Sequence, residues 1–164
     1  MNKPTIDQSV FRQVLGTYPT GVAIVTALDH ENGLVAMVVG SFTSVSLDPP
    51  LVGFLPEKKS GRWAGIARSG RFCVNVLGSD QQELCRRIAT RGSGIQADAD
   101  FSLSERGLPV IPDAVAQIEC DIHSVLDAGD HYFVLGSVID LRVSREQDPM
   151  LFHRGRYGSF AEIR

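Results

Sequence analysis

The sequence predicts a mainly β fold, a closed or partly closed antiparallel barrel with two or three short helices, in one domain spanning residues 1–164. Three observations predict it. Six short runs rich in Val, Ile and other apolar residues have strand length. Compact Gly-, Asn- or Asp-containing turns separate several of them. Residues 115–126 alternate, with Ala116, Ile118, Cys120, Ile122 and Leu126 facing one way and Gln117, Glu119, Asp121 and His123 the other. That is the pattern of an antiparallel strand with one wet face. Closure into a barrel removes the exposed edges that an all-β chain must manage.

The elements follow in order. Asp7 or Ser9 caps a short helix whose apolar face is Val10, Phe11, Val14 and Leu15, and Gly16 ends it. Residues 21–28 read as a strand, Asn32-Gly33 as a turn, and residues 34–39 as the returning strand. Residues 51–55 form a third strand. Ser60 caps a helix carrying Trp63, Ile66 and Ala67, closed by Gly70. Residues 72–77 form a fourth strand, and Ser79 or Asp80 caps a helix with Leu84 and Ile88 on one side. Residues 91–112 show little periodicity and read as a long loop, a candidate lid. Residues 115–126 and 132–143 pair across the turn 127–130.

The chain carries a net charge of −3, with no basic footprint for nucleic acid. Its three cysteines, Cys73, Cys85 and Cys120, form no C-x-x-C pair and read as buried hydrophobes. No leader or long apolar stretch is evident, so a cytoplasmic protein free of membrane is expected. No G-x-G-x-x-G follows a strand. Gly16 to Gly21 has Walker-like spacing but continues as Val-Ala, not Lys-Ser/Thr. The four histidines make no metal-binding pair, and no G-x-S-x-G elbow exists, so no metal is expected.

Three polar constellations remain. Ser41-Phe42-Thr43-Ser44-Val45-Ser46-Leu47-Asp48-Pro49-Pro50-Leu51 puts hydroxyls and backbone N–H groups at the end of an apolar strand. Pro56 to Trp63 crowds Lys58, Lys59, Ser60 and Arg62 at a helix start, where orphan N–H groups and the dipole suit a phosphate. Gly129-Asp130-His131 offers a titratable ring. Each alone also reads as an ordinary turn or a solvated charge cluster. Together they fit a flavin nucleotide, whose ring needs hydrogen-bond donors and whose phosphate needs cations or helix N–H groups.

With Gly16-Thr17-Tyr18-Pro19-Thr20-Gly21-Val22, the block 41–51, Ser69-Gly70-Arg71-Phe72-Cys73-Val74-Asn75-Val76-Leu77, Gly129-Asp130-His131 and His153-Arg154-Gly155-Arg156-Tyr157 in this order, the chain resembles the short-chain flavin reductases. These are the reductase components of two-component flavin-dependent monooxygenases. The resemblance implies a split β-barrel with a Greek-key core, a homodimer with a flavin site near each subunit interface, and reduction of free FMN or FAD by NADH or NADPH. Reduced flavin then diffuses to a partner monooxygenase.

By the same resemblance, Met37, Val38, Val39, Gly40, Ser41 and Thr43 line the isoalloxazine. Lys58, Ser60 and Arg62 grip the ribityl phosphate, and Asn75, Arg154 and Tyr157 belong to the cofactor-binding set. His131 sits near the nicotinamide as the catalytic-site residue. It positions the ring, since hydride transfer moves no proton at the nicotinamide carbon. Transfer needs the two rings stacked at roughly 3 to 3.5 Å. Without a Rossmann motif, the nicotinamide nucleotide is expected to bind in a shallow or folded pose.

This chain departs from a frequent Met-Thr-Ala-Ser-Ser-Phe pattern at Met37-Val38-Val39-Gly40-Ser41-Phe42, losing two hydroxyls. The segment 91–101 also departs from the family. Competing readings are a flavin-holding barrel without fast turnover, and a split-barrel protein with tightly held FMN acting in electron transfer or on another substrate.

Overall fold

The computed structural model describes residues 6–31, 33–90 and 100–163. In chain order it contains α1 (Gln8–Leu15), β1 (Thr20–Gly21), β2 (Ala23–Asp29), β3 (Gly33–Val39), β4 (Thr43–Leu47), β5 (Pro50–Phe54), α2 (Gly61–Ser69) and β6 (Arg71–Val76). A single 3₁₀ turn leads into α3 (Gln82–Ala89), and β7 (Ser102–Leu103), β8 (Pro109–Val110), β9 (Ala116–Ala128), β10 (His131–Val143), β11 (Met150–His153) and β12 (Arg156–Ser159) follow.

Seven strands form one antiparallel sheet in the order β3-β2-β6-β9-β10-β5-β4. The late strands β9 and β10 insert between β6 and β5, the non-sequential neighbour pattern of a Greek key. The sheet's two edges, β3 and β4, are consecutive in the chain. From Val39 to Thr43 the backbone reaches at most about 14 Å. Six interstrand gaps in a flat sheet would part those edges by about 29 Å. The sheet therefore has to curl until its edges meet without pairing, which is a split barrel.

Register shifts between Leu135 and Gly136 and between Val138 and Asp140 help β10 bend against β9. A Cβ at Gly136 would lie 2.5 Å from the Phe72 ring, so glycine is required where this strand crosses the core.

The barrel interior is built on Phe54, Phe72 and Trp63. Phe54 meets Phe72 edge to face at 5.3 Å and Trp63 of α2 at 6.2 Å. Each such side chain contributes roughly 1.5–3 kcal/mol on burial. A second apolar cluster lies outside the barrel wall, where Ile24, Leu77, Cys85, Ile88, Phe101, Ile111 and Met150 pack together. The strand β2 is thus covered on both faces. Arg68 in the last turn of α2 anchors that helix by a bidentate contact to the buried Asp29 carboxylate, at 2.5 and 3.3 Å.

Two sequence expectations are corrected here. Gln117 and Glu119 are not solvated; both are 4% exposed. Segment 100–112 covers this face, and the Gln117 amide donates to the Ile111 carbonyl at 2.8 Å. The same packing argues against a free lid over residues 100–112, since Phe101, Leu108, Val110 and Ile111 are buried. Residues 91–99 of the candidate lid, and Asn32 of the expected turn, lie outside the described residues.

The hydroxyl-rich block 43–47 is also not a turn. It is the edge strand β4, paired with β5 from Thr43↔Gly53 to Leu47↔Pro50. No helix among the described residues is long and apolar enough to cross a membrane.

Cys73, Cys85 and Cys120 are free and buried. Burial pushes the Cys73 and Cys120 thiols up to about 12. The native protein is therefore expected to leave both unlabelled by iodoacetamide at about pH 8, where a thiolate is the reacting species. Peptide mass spectrometry checks this. Rapid native labelling of either cysteine would contradict the packing described.

Candidate active site

A cleft of about 310 Å³ opens at the split of the barrel, lined by Met37, Val38, Val39, Gly40, Ser41, Leu55, Pro56, Glu57, Ser60 and His131. Its position follows from the topology. The strand β3 supplies residues 37–39 and, as an edge, directs alternate backbone groups away from its single ladder. The crossover at Gly40 and Ser41 is tied to the end of β5, where the Ser41 hydroxyl accepts from Leu55 N–H at 2.9 Å. A Cβ at Gly40 would stand 3.0 Å from Thr20 Oγ1, so this floor sits tightly against β1.

On the opposite side, β5 pairs with β10, with Phe54 opposite Val134. Continuing that ladder brings Glu57 opposite His131. Tyr132 N–H donates to the Pro56 carbonyl and Lys58 N–H to the Asp130 carbonyl, both at 3.0 Å. His131 Nδ1 lies 2.7 Å from Asp130 Oδ1. A carboxylate only accepts, so Nδ1 carries the hydrogen and the ring's other nitrogen is left for a ligand. The bond from His131 holds the Asp130 carboxyl below its ordinary value.

Ser60 caps α2, accepting from Trp63 N–H at 3.3 Å. The first N–H groups of a helix have no partner within it. Arg62, in that first turn, is partly exposed and makes no hydrogen bond or ion pair among the described residues.

The structure thus brings together seven of the residues singled out in the sequence: Met37, Val38, Val39, Gly40, Ser41, Ser60 and His131. Arg62 stands at the start of the helix beside them. Others lie elsewhere. Thr43 is exposed on β4, with its hydroxyl donating to the Ser44 carbonyl at 3.1 Å. Lys58 turns from the cleft to Asp127, at 2.5 Å.

Asn75 is fully buried. Its amide donates to Ile24 O at 3.1 Å and Thr26 Oγ1 at 3.0 Å, and its Oδ1 accepts from Ile111 N–H at 2.8 Å. Those bonds make it an internal brace between strands and the 100–112 segment.

Arg154 and Tyr157 line a separate cavity of about 690 Å³ with Pro19, Leu151, His153 and Arg156. Tyr157 Oη meets Cys85 Sγ at 3.4 Å, and this bond and burial push the phenol up to about 12. One strand pair links the two cavities: Thr20, beneath Gly40, pairs with Phe152. The smaller cleft is the better candidate site because it joins the strand end 37–41, the helix cap Ser60 and His131, one residue or more from each of the three polar constellations.

Leu55, Pro56 and Glu57 were missed as lining residues. Only the β5–β10 pairing places them beside His131, and no local pattern signals it. Among the described residues no group of three His, Cys, Asp or Glu is placed to hold a metal ion.

The flavin reductase like domain family matches residues 15–161, and the chain belongs to that family. A flavin reductase of Pseudomonas putida is 51% identical over 161 residues, covering 98% of this chain and 95% of that one. The reductase subunit HsaB of a flavin-dependent monooxygenase from Rhodococcus jostii is 45% identical, covering 93% of this chain and 77% of that protein. Among solved structures, the NADH:FAD oxidoreductase SgcE6 of Streptomyces globisporus, in complex with NAD and FAD fragments, superposes with a TM-score of 0.87. It is 36% identical, covering 97% of this chain and 98% of that one.

Proposed function

We propose that this chain is an NAD(P)H:flavin oxidoreductase that reduces FMN or FAD by hydride transfer and supplies diffusible reduced flavin to a separate monooxygenase. One observation carries the reading. The strand end 37–41, the helix cap Ser60 and an oriented imidazole converge on one cleft, with Arg62 in the first turn of the helix that Ser60 caps. The reductase role of the named relatives supports it.

The cleft fits the group. Its volume is at the low end of the ~300–1,000 Å³ range of small-molecule sites, enough for a ring system but not a whole dinucleotide. The nicotinamide supplies the hydride and the flavin accepts it. Met37 and Val39 point into the barrel core and Val38 toward the second apolar cluster, so this strand end meets the ring mainly through its backbone. Backbone groups along 38–41 are the donors for the ring's polar edge, where fixed dipoles help most as charge develops. With two family hydroxyls absent at Val38 and Gly40, the main chain and Ser41 carry that role. Ser60, the α2 N–H groups and Arg62 hold the phosphate. His131 orients the nicotinamide carboxamide.

The purified protein is expected to consume NADH or NADPH only when free flavin is added. A protein that stays yellow through gel filtration and shows no flavin-dependent consumption would refute the diffusible-flavin reading. Arg62→Ala should raise the Kd for FMN by about tenfold, the order of one lost charge-assisted hydrogen bond. Riboflavin, lacking the phosphate, should bind as before. Equal losses for both ligands would remove Arg62 from the phosphate site.

The protein is further proposed to act as a homodimer in the cytoplasm. The amphipathic helix α1 supports the first: Val10, Phe11, Val14 and Leu15 are all more than half exposed, an apolar face without cover in the isolated chain. Three free, buried cysteines suit a reducing compartment. Light scattering on the intact protein and a Phe11→Glu variant tests the dimer.

A further inference from the structure

We infer that Lys58 is a positioning residue for His131, clasping Asp127 to hold the β9–β10 turn against the cleft, and is not a phosphate ligand. This rests on reading the cleft as the flavin and nicotinamide site.

Strands β9 and β10 are each 13 residues long, but β5 covers β10 only from Val134 to Ser137. Toward the turn, the arm projects beyond its third strand, and Leu126 is exposed there. A two-stranded hairpin standing alone is marginal in water. His131 lies past the end of β5, where only an isolated bridge to Glu57 continues the ladder.

What holds this end is the segment 56–58. Tyr132 N–H bonds the Pro56 carbonyl, and Lys58 N–H bonds the Asp130 carbonyl. Glu57 bridges to His131. The Lys58 side chain adds a charged link. Its ammonium is 2.5 Å from Asp127 Oδ1 and 5.1 Å from the centre of the Tyr132 ring. Asp127 and Tyr132 are partners across the hairpin, so the ammonium closes on both strands at once. Neither Lys58 nor Arg62 lines the cleft, but the Lys58 ammonium is engaged by Asp127, whereas Ser60 lines the cleft and Arg62 makes no ion pair among the described residues. The phosphate role therefore falls to the latter two.

The test uses Lys58→Met, Asp127→Asn and the double variant in the full chain. Hydrogen–deuterium exchange of the ligand-free protein should quicken at the amides of 130–132 in both single variants. The KM for the nicotinamide nucleotide should rise by about two- to fivefold in each, the scale an exposed ion pair supports. The double variant should be no worse than either single one, because both remove the same link. FMN and riboflavin affinities should shift alike. The reversed pair, Lys58→Asp with Asp127→Lys, should recover part of the loss.

A selective loss of FMN over riboflavin in Lys58→Met, with exchange unchanged and Asp127→Asn silent, overturns the inference. Additive losses in the double variant overturn it too. Failure of the underlying functional reading looks different. Exchange would still quicken in both variants, while His131→Ala left nicotinamide binding untouched.

Discussion

Asn75→Leu is expected to destabilise the protein by about 2–5 kcal/mol while leaving flavin affinity per folded molecule within about threefold. Leucine has similar volume, so the cost is electrostatic rather than steric. The Asn75 amide satisfies the Ile24 carbonyl, the Thr26 hydroxyl and the Ile111 N–H in a site with no solvent. Removing it strands buried polar groups, each costing about 1–3 kcal/mol when unsatisfied. Thr26 also bonds the Pro109 carbonyl, so the 108–111 segment should loosen along with the strand. For a chain of this size the melting temperature should fall by about 5–15 °C. Thermal unfolding and flavin titration, run on the same preparation, check it. An unchanged melting temperature with a tenfold loss of flavin affinity would return Asn75 to the cofactor site.

His131→Ala should raise the KM for the nicotinamide nucleotide by about 10- to 50-fold, the worth of one or two lost hydrogen bonds in a partly dry site. The flavin KM should move by less than about threefold, because the strand end 37–41 and the α2 start remain intact. The imidazole is held by Asp130 through Nδ1, so its remaining nitrogen is oriented before any ligand arrives. Such preorganisation reduces the ordering cost of binding. Steady-state kinetics with each nucleotide varied in turn separates the two constants. Unchanged nicotinamide kinetics would exclude the assignment.

Much of the fold is legible in the sequence because its signals are local. The run 34–39 becomes Gly33–Val39, and 132–143 becomes His131–Val143, since strand length and flanking turns are written into each segment. Helix α2 runs from its Ser60 cap to Gly70, which adopts the left-handed conformation expected of a terminating glycine. The edge strand β4 is not legible. Residues 43–47 are mostly exposed, and only the pairing with β5 makes them a strand. Gln117 and Glu119 follow a wet-face pattern, yet segment 100–112, distant in pattern though near in sequence, closes over them.

The chain's order of residues alone determined the long strands, the two helices capped by Asp7 and Ser60, and which side chains carry chemistry. Each of those depends on neighbours a few positions away. Only the folded barrel decided that Met37 to Ser41, Ser60 and His131 share one cleft, because the unpaired β3 and β4 edges and the β5–β10 ladder join distant segments. It also decided that Lys58 and Asn75 turn to partners outside that cleft. A polar side chain takes the strongest partner within reach, and which partners are within reach is a property of the packed chain.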